Sequence, residues 1–101
     1  MKYTKTQPNI SLLLFVEKCK DVDSFNSTSG KRYKATKVED NFMKVLRLDG
    51  KKPELEWRIS LNKLHEAYSL LDNFDTQSFK PFLPRVHSPA RGLLIHLGLL
   101  K

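Results

Sequence analysis

Cysteine is nearly absent from this chain of 101 residues. The one thiol, Cys19, excludes an internal disulfide and any zinc site built on cysteines. Its position in the apolar stripe of a predicted helix is typical of a small core residue and not of a nucleophile. The lack of disulfides favours a reducing compartment, and we expect a cytoplasmic protein.

Signatures of catalysis are also missing. The four glycines are scattered and form neither a phosphate loop nor a dinucleotide-binding fingerprint. His65-Glu66 begins a zinc-protease pattern, but Ser69 stands where the second histidine is required. We therefore predict that the chain is not an enzyme unless it is a domain of a larger one, and that it uses no metal and no cofactor.

Apolar runs of membrane-spanning length are missing as well. The run from Ile10 to Val16 follows two lysines, but it ends at Glu17-Lys18 without a small-residue cleavage site and so differs from a signal peptide. We expect no membrane partner.

Acidic residues are few relative to basic ones, since 11 Asp and Glu oppose 18 Lys and Arg and leave a net charge of +7. Ten of the cations lie between Lys31 and Lys63 together with five acids, so this third of the chain carries +5. A concentrated positive field suits a polyanionic partner. The length and the 40% hydrophobic content predict one small globular domain over residues 1–101.

The chain is expected to fold as an α+β domain that opens with a helix. This helix is predicted to start at Pro8-Asn9, and its apolar residues as far as Cys19 cover most of the circumference, which predicts that the helix is largely buried. The segment from Ser24 to Gly30, rich in serine, threonine and asparagine, is typical of a flexible loop.

A three-stranded antiparallel β-meander is predicted over about Arg32 to Ser60. The turns fall at Glu39-Asp40-Asn41 and at Asp49-Gly50. In the third strand, residues alternate in character, so that Trp57 faces the core and Arg58 the outer side.

Two or three C-terminal helices are expected to pack on one face of this sheet. Ser60 caps the first of them, and Thr76 to Phe79 forms a short helical turn. The last helix starts with Ser88 as its cap and ends before Gly98. The predicted core draws on all of these elements: Leu13, Phe15, Val16, Tyr33, Leu46, Leu48, Leu55, Trp57, Ile59, Leu64, Tyr68, Leu71, Phe79, Leu93, Leu94 and Leu97.

Cations on the predicted strands form the candidate binding surface. A second basic cluster lies around the start of the last helix, whose first N–H groups favour an anion, and consists of Lys80, Arg85, His87 and Arg91. Phosphate contact is better supported than base stacking, because Trp57 is predicted to lie in the core. The candidate binding residues are Arg32, Lys34, Lys37, Lys44, Arg47, Arg58, Arg85 and Arg91.

These features predict a non-catalytic nucleic-acid-binding module that contacts the backbone of duplex DNA, with DNA preferred to RNA. The alternative is a protein-interaction or inhibitor module whose basic face docks on an acidic protein. A third interpretation gives the lysines no partner, because lysine on an exposed sheet also maintains solubility and protects strand edges.

Overall fold

A computed structural model describes residues 3–48 and 56–101 of the chain. Within these ranges the protein has the predicted α+β architecture, with four helices and a four-stranded antiparallel sheet. The predicted turn at Asp49-Gly50 and the predicted core residue Leu55 lie outside the described residues.

The helices are α1 (Leu12–Lys20), α2 (Leu61–Leu70), α3 (Thr76–Phe79) and α4 (His87–His96). The strands are β1 (Ser24–Asn26), β2 (Arg32–Glu39), β3 (Phe42–Arg47) and β4 (Glu56–Ser60), and they pair in the order β1-β2-β3-β4. None of the helices in the described ranges has the length and apolar character that a membrane crossing requires.

The sheet has one strand more than predicted, because Ser24–Asn26 pairs with β2 instead of belonging to a flexible loop. Phe25 is buried opposite Tyr33, and the two rings stack with centroids 5.8 Å apart. A three-residue strand with a single apolar side chain gives too little alternation to be recognised from sequence.

The turn between β2 and β3 is confirmed as a tight hairpin of two residues. Asp40 and Asn41 both have positive φ, at 53° and 60°, as the turn that matches strand twist requires. Upstream of it, β2 contains a β-bulge between Ala35 and Lys37. Such a bulge adds one unpaired residue, so the side chains beyond it change faces relative to strict alternation.

The prediction for β3 assigned the wrong alternating set of residues to the core. Met43 and Val45 are fully buried, whereas Leu46 is half-buried and Leu48 is 45% exposed. The segment carries apolar residues on both alternating sets of positions, so period-two reasoning had no basis for choosing between them. The paired register, with Met43 opposite Ile59 and Val38, fixes the choice.

The N-terminal helix is less buried than predicted. It begins at Leu12 with Ser11 as its cap instead of Pro8-Asn9, and Ser11 Oγ accepts a hydrogen bond from Leu14 N at 3.2 Å. Only one side packs on the core, through Phe15, Val16 and Cys19. Leu13, predicted in the core, is 74% exposed.

Three more predicted core residues, Trp57, Leu71 and Leu97, are only partly buried, although they pack against the core. The prediction also missed Phe74, which is fully buried and lies against Tyr68 and Phe79. Isolated aromatic residues in connections carry no periodic signal, so sequence alone does not identify them as core.

Helix α2 begins as predicted, since Ser60 Oγ accepts a hydrogen bond from Lys63 N at 3.2 Å. The predicted cap of α4 is wrong, because Val86 holds the cap position and Ser88 Oγ bonds instead with Thr28 Oγ1 at 3.2 Å. Gly98 follows α4 with φ +76°, the left-handed conformation expected there.

A close approach between α4 and β1 requires glycine at position 92. A Cβ added to Gly92 would overlap the carbonyl oxygen of Asn26 and lie 2.7 Å from Ser27 Cα. Both of these obstacles are backbone atoms, which cannot rotate away as a side chain would. Helix and strand are therefore in contact only because this residue has no side chain.

We predict that Gly92→Ala destabilises the protein by about 1–3 kcal/mol, because helix and strand must separate. Helix propensity alone would give the opposite sign, since Ala is favoured over Gly by about 1 kcal/mol inside a helix. Urea unfolding of both proteins measures the difference. The matched control is His96→Ala on the exposed side of the same helix. An alanine at 92 that stabilised the fold would contradict the close approach.

Candidate functional site

Five of the eight predicted binding residues lie on the face of the sheet that points away from the core. Their cross-strand partners and their places in the alternation put them on this side, opposite buried residues such as Tyr33, Met43 and Val45. We call this surface the basic face, and its cations are Arg32, Lys34, Lys37, Lys44 and Arg58.

The β-bulge is what places Lys37 on the basic face. Lys34 and Lys37 are three residues apart, a separation that strict alternation would put on opposite sides. With the extra residue in β2, Lys37 lies directly opposite Lys44, and Lys44 lies directly opposite Arg58. Since neighbouring strands are about 4.8 Å apart, three cations occupy a row about 10 Å long.

At each end of this row, a neighbouring side chain partly offsets the positive charge. Lys37 Nζ lies 2.8 Å from Glu39 Oε2. Their hydrogen bond and charge attraction raise the pKa of Lys37 and lower the pKa of Glu39. At the other end, the Arg58 guanidinium lies 5.4 Å from the centroid of the Phe42 ring, a cation–π contact.

Three cations of the basic face have no acidic partner at salt-bridge distance in the described ranges. These cations are Lys34, Lys44 and Arg58. A shallow concavity of about 250 Å³ beside Lys44 and Arg58 is also lined by Glu39 and Asp40, so two acids adjoin these cations near the β2–β3 turn.

Arg47 lies on the other side of the sheet. It pairs with Tyr33 across β2, shares its side with Val45, and is half-buried. Lys44 and Arg47 are three residues apart in a strand whose described pairing has no bulge, so they cannot share a face. Arg47 is therefore not part of the basic face.

Arg91 is occupied within the fold. Its Nε and Nη2 donate to Thr28 Oγ1 at 3.2 and 3.0 Å, and its Nη1 donates to the Phe74 carbonyl at 2.7 Å. The guanidinium also lies 5.9 Å from the centroid of the Tyr3 ring. Arg91 thus joins α4 to three other parts of the chain, and its guanidinium is not available to the second basic cluster.

Arg85 is exposed and connects the two predicted clusters. It lines a groove of about 690 Å³ together with Arg58, so one residue of the C-terminal cluster is a neighbour of the basic face. Sequence reasoning missed the aromatic residues of this groove, Phe42 and Phe82. Neither stands in a pattern that distinguishes a surface aromatic from a core one.

The side chains that could act in catalysis are buried or already hydrogen-bonded within the fold. Burial raises the pKa of the Cys19 thiol to about 12, so the reactive thiolate is not formed near neutral pH. His65 Nε2 hydrogen-bonds with the Ile10 carbonyl at 2.8 Å and helps to hold the segment before α1. Among residues 3–48 and 56–101, no three His, Cys, Asp or Glu side chains are grouped to hold a metal ion.

No protein-family model, no curated protein and no solved structure matches this chain.

Proposed function

We propose that the protein is a non-catalytic nucleic-acid-binding module whose basic face contacts the phosphates of duplex DNA. The observation that carries this proposal is the row of Lys37, Lys44 and Arg58, in which like charges stand opposite one another on three neighbouring strands. Arg32 and Lys34 extend the same surface along β2.

Like charges directly opposite in a sheet are destabilising, so such a row reduces the stability of the protein on its own. An anion laid across the row replaces repulsion with attraction. Duplex DNA carries one charge per about 1.7 Å of its axis, which is dense enough to meet all five cations at once. Contacts of this kind hold a duplex in place without selecting its sequence.

The alternative partner, an acidic protein, is favoured by one specific observation. Phe42 and Leu48 are 37% and 45% exposed beside the cations, and apolar side chains of this kind anchor protein interfaces. The two partners differ in salt dependence. A protein complex anchored on these residues would survive 0.5 M salt, where the Debye length is about 4–5 Å, whereas phosphate contacts would not.

We predict that the affinity for a labelled duplex falls steeply with salt. Because Lys37 is held by Glu39, four of the five cations are counted, and four phosphate contacts correspond to a slope of log K against log salt of about −3 to −4, since each contact adds about −0.9. The triple variant Lys34→Glu, Lys44→Glu, Arg58→Glu is expected to bind at least about 100-fold more weakly and to lower the slope by about 3. Fluorescence anisotropy at several salt concentrations measures both quantities.

The matched control reverses three exposed lysines outside the basic face, in Lys20→Glu, Lys63→Glu and Lys101→Glu. It has the same net charge as the test variant but leaves the row intact. Equal losses in the two triples would show that net charge alone drives binding. Absence of saturable binding to duplex at low salt would contradict the proposal directly.

A second prediction has the opposite sign. Glu39→Gln removes the acid that holds Lys37 at 2.8 Å and makes that lysine available to a phosphate. Duplex affinity is therefore expected to rise about three- to tenfold, with a salt slope steeper by about 1. The control is Glu17→Gln, which breaks the comparable exposed pair with Lys20 on α1. If both changes act alike, the row around Lys37 is not the contact surface.

A further inference from the structure

The groove beside β4 combines aromatic and cationic side chains. It lies between this strand and the segment from Phe82 to Val86, and its volume is about 690 Å³. It is lined by the aromatic residues Phe42, Trp57 and Phe82, by Arg58 and Arg85, and by the acid Glu56.

Trp57 lines the groove with a partly buried side chain. It lies opposite Val45 in the strand pairing, on the other side of β4 from Arg58, so the groove runs along the edge of this strand. The Trp57 Nε1 atom is buried without a hydrogen-bond partner among the described residues, and it is not accessible to a ligand in the groove.

The groove is continuous with the basic face. Phe42 and Arg58 belong to both, and they are already in contact through the cation–π pair at 5.4 Å. Arg85 supplies a second guanidinium to the same groove. A polyanion that crosses the row of Lys37, Lys44 and Arg58 therefore reaches aromatic side chains flanked by arginines.

Bases inside a duplex are stacked on each other and cannot enter such a groove. An unpaired nucleotide has a free π-face and a phosphate on either side, which matches the aromatic side chains and the two arginines. An acidic peptide could pair with the arginines, but the side chains of aspartate and glutamate have no planar ring to stack on the aromatic residues.

We propose that this groove binds one unpaired nucleotide next to the duplex held on the basic face. The base stacks against the aromatic side chains that line the groove, and its phosphates meet Arg58 and Arg85. This inference rests on the proposed function and adds to it a preference for junctions between double-stranded and single-stranded DNA.

Trp57 is the only tryptophan in the chain, so its emission reports on this groove alone. The probes are a blunt duplex of about 12 base pairs and the same duplex with about four thymidines on its 3′ or its 5′ end. At low salt a tail is expected to raise affinity about tenfold and to quench Trp57, because one stacked base contributes on this scale. The blunt duplex is expected to leave the emission unchanged.

Two variants test the groove separately from the basic face. Phe82→Ala removes an aromatic side chain on which the base stacks. Arg85→Gln removes a phosphate contact, and because position 85 is exposed the fold is expected to stay unchanged. Each is expected to abolish at least most of the tail's advantage, and Phe82→Ala leaves blunt-duplex affinity unchanged. Leu70→Ala, a 67% exposed residue of α2 outside the groove, is the matched control.

The outcomes separate the two proposals. Equal binding of blunt and tailed duplexes with constant Trp57 emission overturns the groove assignment and leaves the proposed function standing. If a free oligonucleotide of about four thymidines quenches Trp57 while the blunt duplex does not bind, the groove assignment is supported and duplex binding is overturned. Quenching by an Asp/Glu-rich peptide but not by the oligonucleotide overturns the nucleotide assignment.

Discussion

The β-bulge between Ala35 and Lys37 determines which side chains meet on each face of the sheet. The extra residue places Lys37 opposite Lys44, and it also places Val38 opposite Met43 in the core. Thr36 Oγ1 donates to the Lys44 carbonyl at 3.2 Å and ties the bulged strand to its neighbour. Without the bulge, Lys34 and Lys37 would point to opposite sides, and the row of cations would not exist.

The sequence predicts which side of a strand faces the core only where the two alternating sets of residues differ clearly in polarity. In β4 one set is apolar and the other polar, and the outward position of Arg58 was predicted correctly. In β3 both sets are apolar, so Leu46 was placed in the core and Val45 was not. A bulge adds a residue without changing composition, and no local pattern announces it. Arg91 was misjudged for a different reason, since its partner Thr28 is 63 residues away in the chain.

Under the proposed function, the basic face and the groove supply two kinds of contact that meet at one residue. Arg58 belongs to the row of like charges and also to the aromatic groove, where it faces Phe42. Repulsion within the row makes the face less stable without an anion, so binding of a polyanion and stability of the sheet are linked. The core side of the sheet is not accessible to a polyanion, because Met43, Val45 and Ile59 are fully buried there.

The most direct test of this account is an NMR titration of the folded protein with a short duplex at low salt, following the backbone amide shifts. The account predicts that the largest changes fall on β2, β3 and β4, including Lys34, Lys44 and Arg58, and that the amides of α1 and α4 change little. The largest changes on α1 or α4, or no changes at any duplex concentration, would contradict the assignment of the basic face.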